Sequence, residues 1–329
     1  SNWSAVNNGL TNHYVTSLAV SGSNIFAGTN GGDIFLSTDN GSNWFIDNQE
    51  LTSCAISSFA VSGTNIFAGT RGGGVFLSPN NGSFWSAVNY GLIGTDVSSL
   101  AISGSNIFAG TSGGGVFLSA DNGSNWTVVN SGLTNRDVSS LAVSGSNIFA
   151  GTNGGGVFLS TCNGSNWTPV NSGLTNFKIY CLTISGSNIF AGTDGGGVFL
   201  STDNGNNWTA VNSGLTNYDV QCIVISGTNI FAGTFGGGVF LSTDNGSNWN
   251  EVNNGLTISD ISSLAISGSN IFAGGGSVFL STDNGSNWTE VNEGLTNYWV
   301  YSLAISGTNI FAGTYGAGVW KRPLSEMPL

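Results

Sequence analysis

One eight-residue string, Ser-Gly-(Ser/Thr)-Asn-Ile-Phe-Ala-Gly, recurs throughout this chain, starting at Ser21, Ser62, Ser103, Ser144, Ser185, Ser226, Ser267 and Ser306. The starts lie 41 residues apart six times and 39 apart once. A unit of that length suits a four-stranded β blade and is too long for a leucine-rich or hexapeptide coil. The third repeat illustrates the reading. Val97 to Ser103 alternates and forms strand A, Ile107 to Thr111 strand B, Val116 to Ala120 strand C and Trp126 to Asn130 strand D. Gly104-Ser105, Gly113-Gly114-Gly115 and Asp121-Asn-Gly-Ser-Asn supply the turns between them. Short strands separated by dense turn signals are what a meander requires.

The two ends of the chain decide between an open stack and a ring. Ser1-Asn2-Trp3 matches the close of a turn and the start of strand D, whereas Val319-Trp320-Lys321-Arg322 matches strand C. Together they complete one blade. The predicted fold is therefore an all-β, eight-bladed β-propeller of four-stranded antiparallel blades, read as one domain over residues 1–329. Seven continuous blades fall within about residues 14–298. The eighth is split between 299–322 and 1–8, and closes the ring when its N-terminal strand D pairs with strand C. Closure removes exposed edges, and no polar capping repeat of the kind an open β-solenoid needs is visible.

Composition narrows the function. Gly is abundant (52 residues), only 7% of residues are charged, and the formal net charge is −12. The basic residues are Arg71, Arg136, Lys178, Lys321 and Arg322, too few to neutralise a phosphate backbone or an anionic bilayer. No apolar run approaches the roughly 20 residues of a membrane-spanning helix. The lone His13 and the spacing of Cys54, Cys162, Cys181 and Cys222 fit no metal site, and no cofactor is implied. Cys181 and Cys222 fall at one repeat position where the other repeats carry Ser, and read as small buried residues. The chain reads as an excised mature domain that works as a monomer.

The turn after strand C carries Ser-x-Asp-x-Gly-x-x-Trp: Ser37, Asp39, Gly41 and Trp44 in the first repeat. It recurs at Asp121/Trp126, Asp203/Trp208, Asp244/Trp249 and Asp283/Trp288. Trp85 and Trp167 persist where Asn80 and Cys162 replace the acid, and Trp3 remains in the split blade. A short carboxylate accepts bonds from its own turn, and the indole fills the space between sheets. This turn resembles the Asp-box, or bacterial neuraminidase repeat, of sialidase propellers, sortilin-type receptor domains, xyloglucan hydrolases and photosystem II assembly factors. The resemblance implies that these Asp and Trp residues serve folding, on the face away from the ligand. Near-perfect blades also resemble those of secreted bacterial proteins, and the tail from Lys321 to Met327 resembles the junction before a sorting domain. That implies a secreted or cell-surface location.

Variation among the repeats concentrates in the D–A connection, the start of strand A and one position of the B–C turn. Alternating strands place all three on one face. They carry His13, Tyr14 and Thr16; Cys54, Ala55 and Arg71; Asp96 and Ser112; Arg136, Asp137 and Asn153; Phe177, Lys178, Tyr180 and Asp194; Tyr218, Asp219, Gln221 and Phe235; Ser259 and Asp260; and Tyr298, Trp299, Tyr301 and Tyr315. The aromatic members, with His13, are the candidate ligand site, an aromatic notch flanking the shortened seventh blade. Aromatic faces stack on sugars and on extended peptides; the alternative is that they plug a wide channel. Asp96, Asp137, Asp219 and Asp260 share a position that caps the turn into strand A or, less simply, forms a carboxylate ring for Ca²⁺ or for an inverting hydrolase. A sialidase needs an arginine triad, and only Arg71 and Arg136 reach this rim. A non-catalytic module for glycan or extended peptide is thus the expected function, with a passive scaffold and an inverting glycoside hydrolase as the alternatives.

Overall fold

The computed structural model describes residues 3–46, 55–80, 84–295 and 299–327. The chain is an eight-bladed β-propeller whose strands form eight separate four-stranded antiparallel sheets. In the third blade, strand A is Val97–Ser103, B is Asn106–Thr111, C is Gly115–Ser119 and D is Thr127–Val128. Strand D is therefore shorter than the sequence suggests. It pairs only through Phe117↔Val128 and Leu118↔Thr127, after which a single bond from Val129 N–H to Val116 O continues it.

Strand A of each blade contacts strand A of both neighbours, so the A strands form the inner ring and D the rim. The ring closes as predicted. Ser4–Ala5 pairs with Gly318–Pro323 in the register Ser4↔Lys321 and Ala5↔Trp320, completing the sheet that contains Val300–Ser306 and Asn309–Thr314. Arg322, 3% exposed, ties this split blade to blade seven by donating to Val291 O at 3.1 Å and to Glu293 at 3.0 Å. The tail does not simply leave the ring. Leu324–Glu326 forms a 3₁₀ turn and Met327 is buried in the core between blades seven and eight.

The core is divided among the blade junctions. Eight apolar clusters are present among the described residues, each shared by two adjacent blades. One joins Phe108, Val116 and Val129 of blade three to Val138, Ile148, Phe158 and Trp167 of blade four. Burial of each large side chain contributes about 1.5–3 kcal/mol. The Gly ending Phe-Ala-Gly sets the distance between sheets: a Cβ on Gly110 would lie 2.7 Å from Cγ1 of Val138 in the next blade.

The Ser-x-Asp-x-Gly-x-x-Trp turn behaves as a folding device. Asp39 accepts from Ser37 Oγ at 2.9 Å, from Asn43 N–H at 2.9 Å and from the Asn43 amide at 2.6 Å. The Asn43 amide foremost, with its backbone N–H, holds the Asp39 carboxyl below the usual carboxylate range. Asn40 and Gly41 take left-handed backbone at φ 60° and 83°. The Trp N–H then crosses to the preceding blade: Trp126 donates to Val88 O, Trp167 to Val129 O, Trp208 to Val170 O and Trp249 to Val211 O, each at 2.6 Å. Trp3, Trp44 and Trp288 donate to Val291, Val6 and Val252 O in the same way. Where the acid is absent, Asn80 still accepts from Ser78 at 2.9 Å and from Phe84 N–H at 3.1 Å. Cys181 and Cys222 are free thiols, half-buried rather than fully enclosed as expected, and desolvation pushes both up to about 12.

Candidate functional site

The face that carries the sequence variation rests on a repeated backbone lattice. The B–C turn of every blade but the seventh donates to the residue just before strand A: Asn30 to Tyr14 O at 2.8 Å, Arg71 to Ala55 O at 2.8 Å, Ser112 to Asp96 O at 2.8 Å and Tyr315 to Trp299 O at 2.9 Å. A second bond crosses the blade junction, as in Gly115 to Arg136 O at 2.9 Å, Gly156 to Phe177 O at 2.8 Å and Gly318 to His13 O at 2.8 Å. At each of these positions only the backbone is engaged by the lattice, which leaves the side chain open to vary.

Strand A begins with a β-bulge in every blade, at Ser98 in the third. The bulged residue faces the channel mouth, and in the first four blades its hydroxyl ties two blades together. Thr16 donates to Ile56 O at 2.8 Å, while Ser57, Ser98 and Ser139 bond the carbonyls of Val97, Val138 and Ile179. Tyr180, Gln221 and Tyr301 occupy this place in blades five, six and eight. A bulge re-aims a side chain, and here it brings tyrosines to the mouth.

The aromatic residues do not converge on the seventh blade. The cavity beside that blade is lined by Asn217, Glu251, Asn253, Leu256, Ile258 and small residues, with no aromatic ring. The tyrosines meet one junction further on, where blade eight adjoins blade one. Tyr14 and Tyr315 form an edge-to-face pair with centroids 4.8 Å apart, and Tyr301 meets Tyr315 at 5.9 Å. Packing on one another leaves them 45%, 48% and 39% exposed respectively. With Thr16, Ser57 and Arg71 they line a cavity of about 260 Å³.

The other candidates do not line this cavity. Phe177, Tyr218, Phe235 and Trp299 are each exposed at the rim. His13 is exposed and its ring nitrogen lies 3.0 Å from Leu10 O. Tyr180 lies under the Lys178 ammonium, 5.3 Å from its ring centre, and burial raises its hydroxyl above the ordinary value. Lys178 is ion-paired with Asp194; the partner holds Asp194 low and Lys178 high. Tyr298 and Cys54 lie outside the described residues.

A second cavity of about 420 Å³ adjoins the first and shares Ser57 and Arg71 with it. Its wall is mixed: Asp96, Asp137 and Lys178 carry charge, Ser98, Ser112, Ser139 and Asn153 supply neutral hydrogen-bonding groups, and Val138, Ile179 and Tyr180 supply apolar surface. Asp137 and Asp219 do not cap the turn into strand A. There the bond is made by an Asn two residues earlier: Asn135 accepts from Asp137 N–H, and Asn217 from Asp219 N–H, both at 2.9 Å. Asn12 and Asn176 do the same for Tyr14 and Lys178. The Asp carboxylates bond sideways instead, Asp137 with Ser112 and Asn153 at 2.9 Å each, and Asp219 with Gln221 at 2.6 Å. Among the described residues no three of His, Cys, Asp and Glu gather where they could hold a metal ion.

A model of the DUF6242 beta propeller domain matches residues 104–228. No curated protein matches the chain. The computationally designed Ika8 protein is similar over 96% of this chain and 98% of its own, at 14% identity and a TM-score of 0.74. The extracellular domain of BT4673 from B. thetaiotaomicron matches 84% of this chain and 39% of its own, at 17% identity and a TM-score of 0.65. YCF48 bound to D1 peptide covers 98% of this chain and 97% of its own, at 14% identity and a TM-score of 0.61. At such identities these likenesses show the fold alone. No helix among the described residues is long and apolar enough to cross a membrane.

Proposed function

We propose that this propeller is a non-catalytic recognition domain that binds a glycan at the mouth of its loop face. The observation that carries the reading is the cluster of Tyr14, Tyr301 and Tyr315, which stays half-exposed over an open cavity although its rings pack together. Side chains whose sole task was to plug a channel would bury one another. Half-exposed rings beside hydroxyls and a guanidinium match the mixed apolar and polar faces of a sugar. The rim carboxylates support a binding role over hydrolysis, because Asp137, Asp194 and Asp219 are each engaged by neighbouring side chains. A secreted origin and membership of the Asp-box group fit the acidic turns and the neighbouring extracellular domain, and belong to the same proposal.

YCF48 bound to D1 peptide gives a reason to consider an extended peptide as the second class of ligand. A glycan array probed with the whole chain, and with Tyr301→Ala and Tyr315→Ala, separates the two. Specific glycan binding that both variants lose supports the proposal. A blank glycan array with retained binding to a peptide library replaces it by the peptide reading. Release of reducing sugar from a bound oligosaccharide would overturn the non-catalytic part.

A further inference from the structure

Building on the glycan reading, we infer that the ligand carries one isolated carboxylate, as a uronic acid does, and that Arg71 receives it. Arg71 lies where the tyrosine cavity meets the second cavity and lines both. Its backbone is held by the bond to Ala55 O and by the bridge to Asp96, so the side chain projects from a fixed point. It is exposed and makes no ion pair among the described residues, whereas Lys178 in the same second cavity is taken by Asp194. A guanidinium with no ion pair among the described residues, set between the tyrosines and a wall of charged and hydroxyl groups, is suited to a carboxylate on a sugar whose ring rests on tyrosine.

The surroundings limit the ligand to a single charge at this point. Asp96 and Asp137 share the second cavity, and the whole chain carries −12. A polyanion would meet repulsion from both, whereas one carboxylate pairs locally with Arg71 and leaves neutral hydroxyl groups for the carboxylates and serines beyond it. The two joined cavities run from blade eight across blades one and two to blades three, four and five, which would set the acidic residue of a bound oligosaccharide at blade two, near the middle of the run.

The decisive comparison is isothermal titration of the whole chain with a xylo-oligosaccharide bearing one glucuronic acid and with the same oligosaccharide lacking it. Heparin serves as the polyanion, and a Glu-containing peptide as the protein-like anion. The acidic oligosaccharide is expected to bind about 10- to 100-fold tighter than the neutral one, the range of a charge-assisted hydrogen bond. Arg71→Gln should erase that ratio without changing the melting temperature, and Arg71→Lys should retain part of it. Equal binding of the two oligosaccharides, or an unchanged ratio in Arg71→Gln, overturns the inference and leaves the glycan reading standing. Tighter binding of heparin also overturns it. Binding of the peptide with no binding of any sugar overturns both readings.

Discussion

The indole N–H that crosses each blade junction offers a quantitative handle on what holds the ring together. Trp167 is 2% exposed, lies among Phe108, Leu133 and Phe158, and donates to Val129 O at 2.6 Å. Trp167→Phe keeps an aromatic ring there and removes the donor. A buried carbonyl left without its partner costs about 1–3 kcal/mol, and the smaller ring adds roughly 1 kcal/mol of lost contact and residual cavity. The sum is about 2–4 kcal/mol. With an unfolding entropy near 2.1 cal/mol/K per residue, each kcal/mol lowers the midpoint of a 329-residue chain by roughly 1.5 °C. A fall of about 3–6 °C in a calorimetric melt is therefore expected, and a larger one for Trp167→Ala. Trp208→Phe repeats the experiment one blade on, since Trp208 makes the same bond to Val170 O at 2.6 Å. A shift no larger than that of the surface control Val128→Ala, at a residue 50% exposed, would refute the assignment of this bond as a junction staple.

Other outcomes follow from single features. Gly214→Ala places a Cβ 2.0 Å from Trp249 O at φ +81°, whereas Gly104→Ala at φ +61° meets nothing within 4 Å. The first should destabilise by about 3 kcal/mol or more and the second by about 1 kcal/mol, as read from urea midpoints. In a Cys54→Ser background a thiol reagent should label exposed Cys162 in the native protein faster than half-buried Cys181 and Cys222, whose thiols desolvation holds near 12; equally rapid labelling of all three would contradict that raised value. The acidic turns set the acid limit. Asp39, Asp121, Asp203, Asp244 and Asp283 are all held below 3.8 by bonds from their own turns, so their contribution is complete above the unfolded value and lost as pH falls through the lowered one. Thermal midpoints should stay level down to about pH 4 and fall beneath it, less steeply in Asp203→Asn; an unchanged slope in that variant counts against the turn as the source.

The fold was legible because every level of the sequence repeats it. The Phe-Ala-Gly strand, the glycine turns and the terminal fragments each allow one arrangement, and Ser4–Ala5 against Gly318–Pro323 supplies the predicted seam. The site was legible only as a face. Residues at one repeat position could be placed together on the rim, but which rings touch depends on the bulge that aims Tyr301 and on the blade junction that sets Tyr14 against Tyr315. The spacing of variable positions carries no record of either. The shortened loop of blade seven does not mark where the tyrosines meet: the cavity beside it is lined by Asn217, Glu251, Leu256 and Ile258, and Tyr14, Tyr301 and Tyr315 gather where blade eight adjoins blade one. The role of two rim Asp residues was misread for a related reason. Asn135 and Asn217 make the turn bonds that were assigned to Asp137 and Asp219, and as members of the common background they gave no contrast between repeats.

The backbone lattice beneath the loop face separates shape from chemistry. Arg71, Asn153, Phe235 and Tyr315 hang from equivalent amide bonds in four different blades, although they share no side-chain property. Such a surface works as a keyboard: each blade presents a few keys at fixed height, and exchanging one alters what is recognised without moving the others. A change of ligand in a relative of this chain could then be traced to individual keys, and a designed change could be made one blade at a time at little cost to the ring.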